Sequence, residues 1–292
     1  MIKVVGVIDV GGGLRGIYGA GIFDYCLDNN INFDYCIGVS AGSANIASYL
    51  GKQKGRNYTF YVDYTFRKEY MSFYNFLHNG SYIDLDYVYG NLSIASGENP
   101  LNYKGIIKSK STFKIVSTDA LTGKAVYFDK HDISQDNYDI FKASCCIPVV
   151  CKPYLINSIP YFDGGLSDPV PVAKAFKDGC TKVVAILTKP IELRDTDKKD
   201  IIMSKLLHKK YPAISKAMFT YTQEYNKGIK LLQQYEKEGK ALIIAPDDCC
   251  GLDTLTKDPE KMKLLYNKGY KDAEALLNFL NISTPNNQFV TN

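Results

Sequence analysis

Histidine is scarce in this chain: His78, His131 and His208 are the whole supply in 292 residues. The shortage matters because a serine or cysteine nucleophile usually borrows its base from an imidazole. His208 falls in SKLLHKKYP, between leucines and lysines on an expected surface helix, His131 follows the strand-like AVYFDK, and His78 lies in an aromatic stretch. Eight cysteines occur without a C-x-x-C spacing, which argues against the common zinc and dithiol patterns. They are Cys26, Cys36, Cys145, Cys146, Cys151, Cys180, Cys249 and Cys250; several sit in apolar runs and read as buried reduced thiols of a cytoplasmic protein. No window approaches the roughly 18 apolar residues of a membrane span. The opening MIKVVGVIDVGGG lacks the features of a secretion signal and reads as a first strand. A large charge excess is also missing: 35 basic against 31 acidic residues leave +4, which disfavours a nucleic-acid binder and permits a peripheral place at an anionic membrane surface. Repeats and low-complexity blocks are absent.

The chain is rich enough in apolar residues, 46%, to bury a real core. KVVGVIDV is a continuous apolar run of the kind a strand covered on both faces shows. GIYGAGIFDYCLDNN follows with helical spacing, then a short strand, FDYCIGV, and a second helix expected to end near Gly55. This β-α-β-α opening implies a parallel sheet. TFKIVSTDA and KAVYFDK read as adjacent strands turning at Leu121-Thr122-Gly123, and KVVAILT and ALIIAP as two more buried strands. Between the last two lies a long amphipathic helix striped by Met218, Tyr221, Tyr225, Ile229, Leu232 and Tyr235, and a final helix is expected from about Pro259 to Leu280. Residues 57–102, crowded with tyrosine and phenylalanine, read as a helical insertion. The expectation is one α/β domain over 1–285 and a loose tail at 286–292.

IGVSAGSAN places one serine between Gly38 and Gly42 at a strand-to-helix junction. That is the context of a nucleophile elbow, where the turn strains the serine and leaves no room for a Cβ two residues away. With 17 serines and 23 glycines in 292 residues, chance supplies roughly 0.1 such matches before context is demanded. The bland alternative is a small-residue turn with an N-capping serine. The turn would set Ser40 Oγ at the head of a helix, with the Ala41 N–H beside any charge formed there. DVGGGLRG, after the first strand, offers the amides of Gly12 and Gly13 as an oxyanion hole, with Arg15 adding positive potential. Gly11, Gly13 and Gly16 also satisfy G-x-G-x-x-G, but a dinucleotide site needs an acid at the end of the second strand, and that strand ends in Gly38-Val39-Ser40.

A base must still be found. The order Ser40, Asp163, His208 would suit a triad. Asp163, in YFDGGLSDPVPV at the end of an apolar strand, can instead act directly if burial raises its pKa. Gly164 and Gly165 after it allow close backbone approach and positive φ. Asp-Gly is also an ordinary turn dipeptide; beside Ser40 and the glycine run, the dyad is the better reading.

GGGLRG, GVSAG and DGG, in this order and these contexts, resemble the patatin-like phospholipase family, and ASCCIP resembles the family segment that precedes the aspartate strand. LLYNKGYKDA and the aromatic insertion look like a bacterial subgroup. The resemblance implies a three-layer α/β/α sandwich with a mostly parallel central sheet. It implies hydrolysis of lipid acyl esters by a serine–aspartate dyad without histidine, metal or cofactor. Ser40 is then the nucleophile, Asp163 the base, and Gly11, Gly12, Gly13 and Arg15 the oxyanion segment; Asp168 has no assigned part. An acyltransferase, a general carboxylesterase on the same dyad and a catalytically silent lipid-binding protein are the alternatives. The aromatic insertion could line an acyl channel or pack its own small core. Lys198, Lys199, Lys205, Lys209, Lys210 and Lys216 read as a solvated helix face, or more sharply as a contact with anionic lipid.

Overall fold

The computed structural model describes residues 4–195 and 198–282, so the expected loose tail at 286–292 lies outside the described residues. Eight strands form one sheet among them: β1 (Val5–Asp9), β2 (Tyr35–Val39), β3 (Thr112–Asp119), β4 (Ala125–Asp129), β5 (Tyr154–Ile156), β6 (Ile159–Asp163), β7 (Lys182–Ile186) and β8 (Ala241–Ile244). The order is β5-β6-β3-β2-β1-β7-β8, with β4 paired to β3 off this path. Strands β8, β7, β1, β2 and β3 run parallel, while β4, β6 and β5 add antiparallel pairs.

Eleven α-helices join them: α1 (Ile17–Asp28), α2 (Ala41–Leu50), α3 (Arg56–Val62), α4 (Phe73–Asn79), α5 (Tyr103–Lys108), α6 (Asp139–Ser144), α7 (Val172–Lys177), α8 (Lys198–Leu207), α9 (Pro212–Lys237), α10 (Pro259–Asp272) and α11 (Ala275–Leu280). Side chains alternate between two cores across the sheet. Val7, Cys36, Phe113 and Val184 pack on the α1, α2 and α10 side, whereas Ile8, Ile37, Val116 and Val183 pack on the α7 and α9 side. Helices cover both faces, which is why the central strands read as unbroken apolar runs. The molecule is a three-layer α/β/α sandwich with a mostly parallel sheet. All eight cysteines are free.

Three local readings change. The helix after Ser40 closes at Leu50, and Gly55 instead takes the left-handed conformation, φ 77°, that opens α3. The expected last helix is two, α10 and α11, broken at Ala273–Glu274. Strand β5 carried no clear signal: three residues long and at the sheet edge, it has too few positions to show a period.

Strand order switches direction at β1: β2 and β3 lie on one side, β7 and β8 on the other. Ligands of open α/β sheets bind at the carboxyl ends of strands beside such a switch. Both the glycine run after β1 and the serine turn after β2 emerge there.

Helices α1 and α10 pack backbone to backbone at two glycines. A Cβ on Gly269 would overlap the Tyr18 carbonyl, one on Gly21 would overlap the Tyr266 carbonyl, and Tyr18 Oη donates to Asp272 Oδ2 at 2.7 Å. Gly269→Val should therefore cost about 1–3 kcal/mol through overpacking. A thermal melt of the variant checks this, and an unchanged midpoint would contradict the contact.

Candidate active site

Ser40 stands between β2 and α2 with φ 54° and ψ −131°, a conformation that a residue with a side chain adopts only when its surroundings impose it. Its N–H donates to Ser144 Oγ at 3.0 Å, and that hydroxyl donates to the Val116 carbonyl at 2.7 Å. The Ser40 carbonyl accepts from the Ser43 N–H at 2.9 Å and from Ser43 Oγ at 2.6 Å. Both flanking glycines are required by close approach. A Cβ on Gly42 would overlap the Asp9 carbonyl, and one on Gly38 would press on the Ser43 backbone. The turn therefore packs on the end of β1, and Ser40 is 6% exposed.

Asp163 comes to Ser40 by way of β3. On one edge of β3, Thr112–Val116 pair with Tyr35–Val39 of β2, and the next residue, Ser117, pairs with Asp163 of β6. β2 and β6 thus use successive stretches of the same edge, because β4 occupies the other, and their ends meet. The Asp163 carboxylate accepts a hydrogen bond from the Gly165 N–H at 2.8 Å and lines the same cavity as Ser40. Thr118 Oγ1 donates to the Asp163 carbonyl at 2.8 Å. Burial pushes the carboxyl up from 3.8 to about 6, and the Ser40 side chain and the Gly165 amide hold it from rising further. A Cβ on Gly164 would overlap the Val116 carbonyl, so this glycine serves close approach. Neither Gly164 nor Gly165 has the positive φ expected of them. Asp168 accepts from the Tyr127 hydroxyl at 2.5 Å and lines neither cavity described below.

Gly11, Gly12 and Gly13 have φ of 66°, 125° and 60°. The Gly11 N–H is not free: it donates to Asp9 Oδ1 at 2.9 Å, which corrects its expected part as an oxyanion donor. Asp9 is fully buried, its other oxygen accepts from Asn45 Nδ2 at 2.9 Å, and burial raises its pKa to about 6. Asn45 also donates to the Gly16 carbonyl at 2.8 Å. The Thr188 hydroxyl donates to the Gly11 carbonyl. Gly11 is thus a pinned corner that turns the next two amides outward. The N–H groups of Gly12 and Gly13 have no acceptor among the described residues. Ala41 opens α2, where backbone amides have no partner within the helix. Arg15 lies against Gly12, is 7% exposed at its side chain and pairs through Nη1 with Asp253 Oδ1 at 2.6 Å.

Ser40 lines two cavities. One, of about 80 Å³, is mostly apolar and also bounded by Ala44, Phe60, Met71, Val88 and Tyr89. The other, of about 190 Å³, is more polar and open, and holds Asp163, Gly12, Gly13, Arg15, Arg194 and Tyr221. No histidine lines either one; His78, His131 and His208 are all exposed. Lys205, Lys209, Lys210 and Lys216 are exposed, and the side chains of Lys198 and Lys199 lie outside the described residues.

Several functional residues escaped the sequence reading. Ser144 lies within ASCCIP, yet nothing in the string says that its hydroxyl holds the Ser40 backbone. Asp9 had a usable signal: an acid ending an otherwise apolar, fully covered strand needs a partner.

The model of the family described as patatin-like phospholipase matches residues 10–176, and that of a domain of unknown function, DUF6363, matches residues 211–281. The chain is 28% identical over 194 residues to the uncharacterized protein YjjU of Escherichia coli strain K12, covering 65% of this chain and 53% of that one. It therefore spans about half the length of that curated relative. The crystal structure of VipD from Legionella pneumophila aligns over 94% of this chain and 67% of that one, at a TM-score of 0.48 and 11% identity. The family match covers more than half of the sequence and includes the glycine run, the Ser40 turn and Asp163: the chain belongs to the patatin-like phospholipase family.

Proposed function

We propose that the protein hydrolyses acyl esters of lipids through a Ser40–Asp163 dyad and an acyl-enzyme. The observation that carries this reading is a strained serine that shares one cavity with a buried carboxylate and opens onto a second, apolar one. Ser40 Oγ attacks the ester carbonyl while Asp163 takes its proton. The oxyanion rests against the amides of Gly12, Gly13 and Ala41, an arrangement whose single donors are typically worth about 10²–10³ in rate. The carbon–oxygen bond to the leaving group then breaks, and Asp163 returns the proton to the alkoxide. Water, deprotonated by Asp163, attacks the acyl-enzyme; the bond to Ser40 Oγ breaks, Asp163 returns the proton to that oxygen, and the acid leaves.

The acyl chain belongs in the apolar cavity and the leaving group on the open polar side. Peripheral contact with a membrane is part of the proposal. Phe73 and Leu77, one turn apart on α4, are 77% and 79% exposed, and Met71 just before that helix lines the acyl cavity. Apolar side chains at a cavity mouth favour a lipid surface over water.

Wild-type protein should be labelled by a fluorophosphonate and Ser40→Ala should not, with ester turnover down at least about 10⁴-fold. A panel of p-nitrophenyl esters, lysophospholipids, phospholipids and glycerides reads the substrate class, and equal labelling of both proteins would sink the dyad. The rate should fall as pH drops through about 6, where Asp163 gains a proton and stops being a base; Asp9 adds to the same limb. Because the folded pKa lies above 3.8, the ionised carboxyl costs about 3 kcal/mol of stability, a cost absent below about pH 4 and complete above about pH 6. Asp163→Asn should thus be inactive yet melt higher at pH 7, with little gain at pH 4. The pair Phe73→Ser, Leu77→Ser should lower turnover of vesicle-borne phospholipid relative to a soluble ester by about tenfold or more; an unchanged ratio would refute the membrane contact.

A further inference from the structure

Arg56 opens α3 and is buried, with 8% of its surface exposed. Its Nη1 donates to Ser48 Oγ at 3.1 Å, and its Nη2 to Ser93 Oγ at 2.8 Å and to the Asn99 carbonyl at 3.1 Å. The guanidinium also lies over the Phe60 ring, 4.5 Å from its centre. Every one of these partners is neutral. Among the described residues no carboxylate pairs with Arg56, and its Nε–H is buried without an acceptor. Burial lowers its pKa only to about 10, so it stays charged at neutral pH. A buried cation without a counter-charge is costly, and neutral hydrogen bonds return only part of what leaving water takes.

Arg56 lines the same apolar cavity as Ser40. Its partner Ser48 lies eight residues beyond Ser40 along α2, about 12 Å at 1.5 Å per residue. The cavity therefore begins at the nucleophile and carries a positive charge about two helical turns deeper, with Ala44, Met71 and Val88 among its walls. A plain hydrocarbon chain would fill the walls and leave the cation unanswered.

We propose that this cavity takes an acyl chain that ends in a carboxylate, so that the substrate is a half-ester of a dicarboxylic acid and Arg56 binds the far carboxylate through its free Nε–H. Such charged hydrogen bonds are short and directional, and in a dry pocket they select strongly. The proposal rests on the hydrolase reading of Ser40, and its test separates the two.

Mono-p-nitrophenyl esters of adipate, suberate and sebacate are compared with p-nitrophenyl esters of the monoacids of equal length. In wild type at least one half-ester should exceed its neutral counterpart in kcat/KM by about tenfold or more. The ratio should shrink in Arg56→Lys and invert in Arg56→Met. Preference for the neutral ester at every length in wild type overturns the proposal without any variant having to fold. If no ester is turned over and no fluorophosphonate attaches, the hydrolase reading fails, and calorimetric titration of Ser40→Ala with suberate decides the site alone. Binding that is lost in Ser40→Ala, Arg56→Met supports an anion site; no binding to Ser40→Ala overturns it.

Discussion

One edge of β3 carries the site. Its first five residues pair with β2 and the following ones with β6, so two strands more than a hundred residues apart end against each other on a common rail. Backbone ladders fix that meeting, and side chains need only complete it. This explains why the turn can hold Ser40 at φ 54°. Strain of about 1–3 kcal/mol persists only where the surroundings over-determine the backbone. Here β2 and β1 set the position of the turn, Ser144 grips the Ser40 N–H, and Ser43 grips its carbonyl. The hydrogen bond from Ser144 runs on to Val116, a β3 residue, so the same strand that positions Asp163 also braces Ser40.

Two buried carboxyls give the site its electrostatic character, and they do different things with similar surroundings. Each is raised to about 6 by desolvation and each holds a backbone amide. Asp163 shares an open cavity with Ser40, so in the proposed mechanism its elevated pKa becomes basicity available to the reaction. Asp9 faces Asn45 and Gly11 inside the protein and lines neither cavity, so its charge serves shape. It fixes Gly11, and through Gly11 the direction of the two amides that follow. A carboxylate is suited to that task because a charged acceptor binds an N–H about twice as strongly as a neutral one.

Much of this was legible in the string. The paired glycines about Ser40, the glycine run after β1 and Asp163 before Gly164 each require a backbone that comes too close for a Cβ, and close approach leaves its mark as glycine. The central strands were legible because both faces are covered, which makes apolar runs continuous. What could not be read was pairing between distant side chains. Gly11 looks like any other member of the run until Asp9 is seen to occupy its amide. Ser144 is one serine among 17 until its hydroxyl meets Ser40. Arg56, in KGRNYTF, carries no local signal of burial, since basic residues at a helix start are ordinarily solvated. The short strand β5 and the break between α10 and α11 depend on tertiary packing that outweighs local propensity.

The aromatic stretch between α2 and α5 connects these levels. Its inner residues Phe60, Tyr61, Val88 and Tyr89 are buried against α2 and α6, whereas Phe73, Tyr74, Phe76 and Leu77 face outward. The same segment thus walls the cavity beside Ser40 and presents an apolar surface outside it. A sandwich sheet alone supplies a nucleophile at its rim, open to water on one side. Adding a wall of rings converts that rim into a pocket in which a chain loses water as it approaches the hydroxyl. Desolvation then favours entry of the chain. Asp163 lines the other, more open cavity, so substitutions that wet the apolar pocket should weaken binding of the chain while the Asp163 carboxyl stays raised by its own burial.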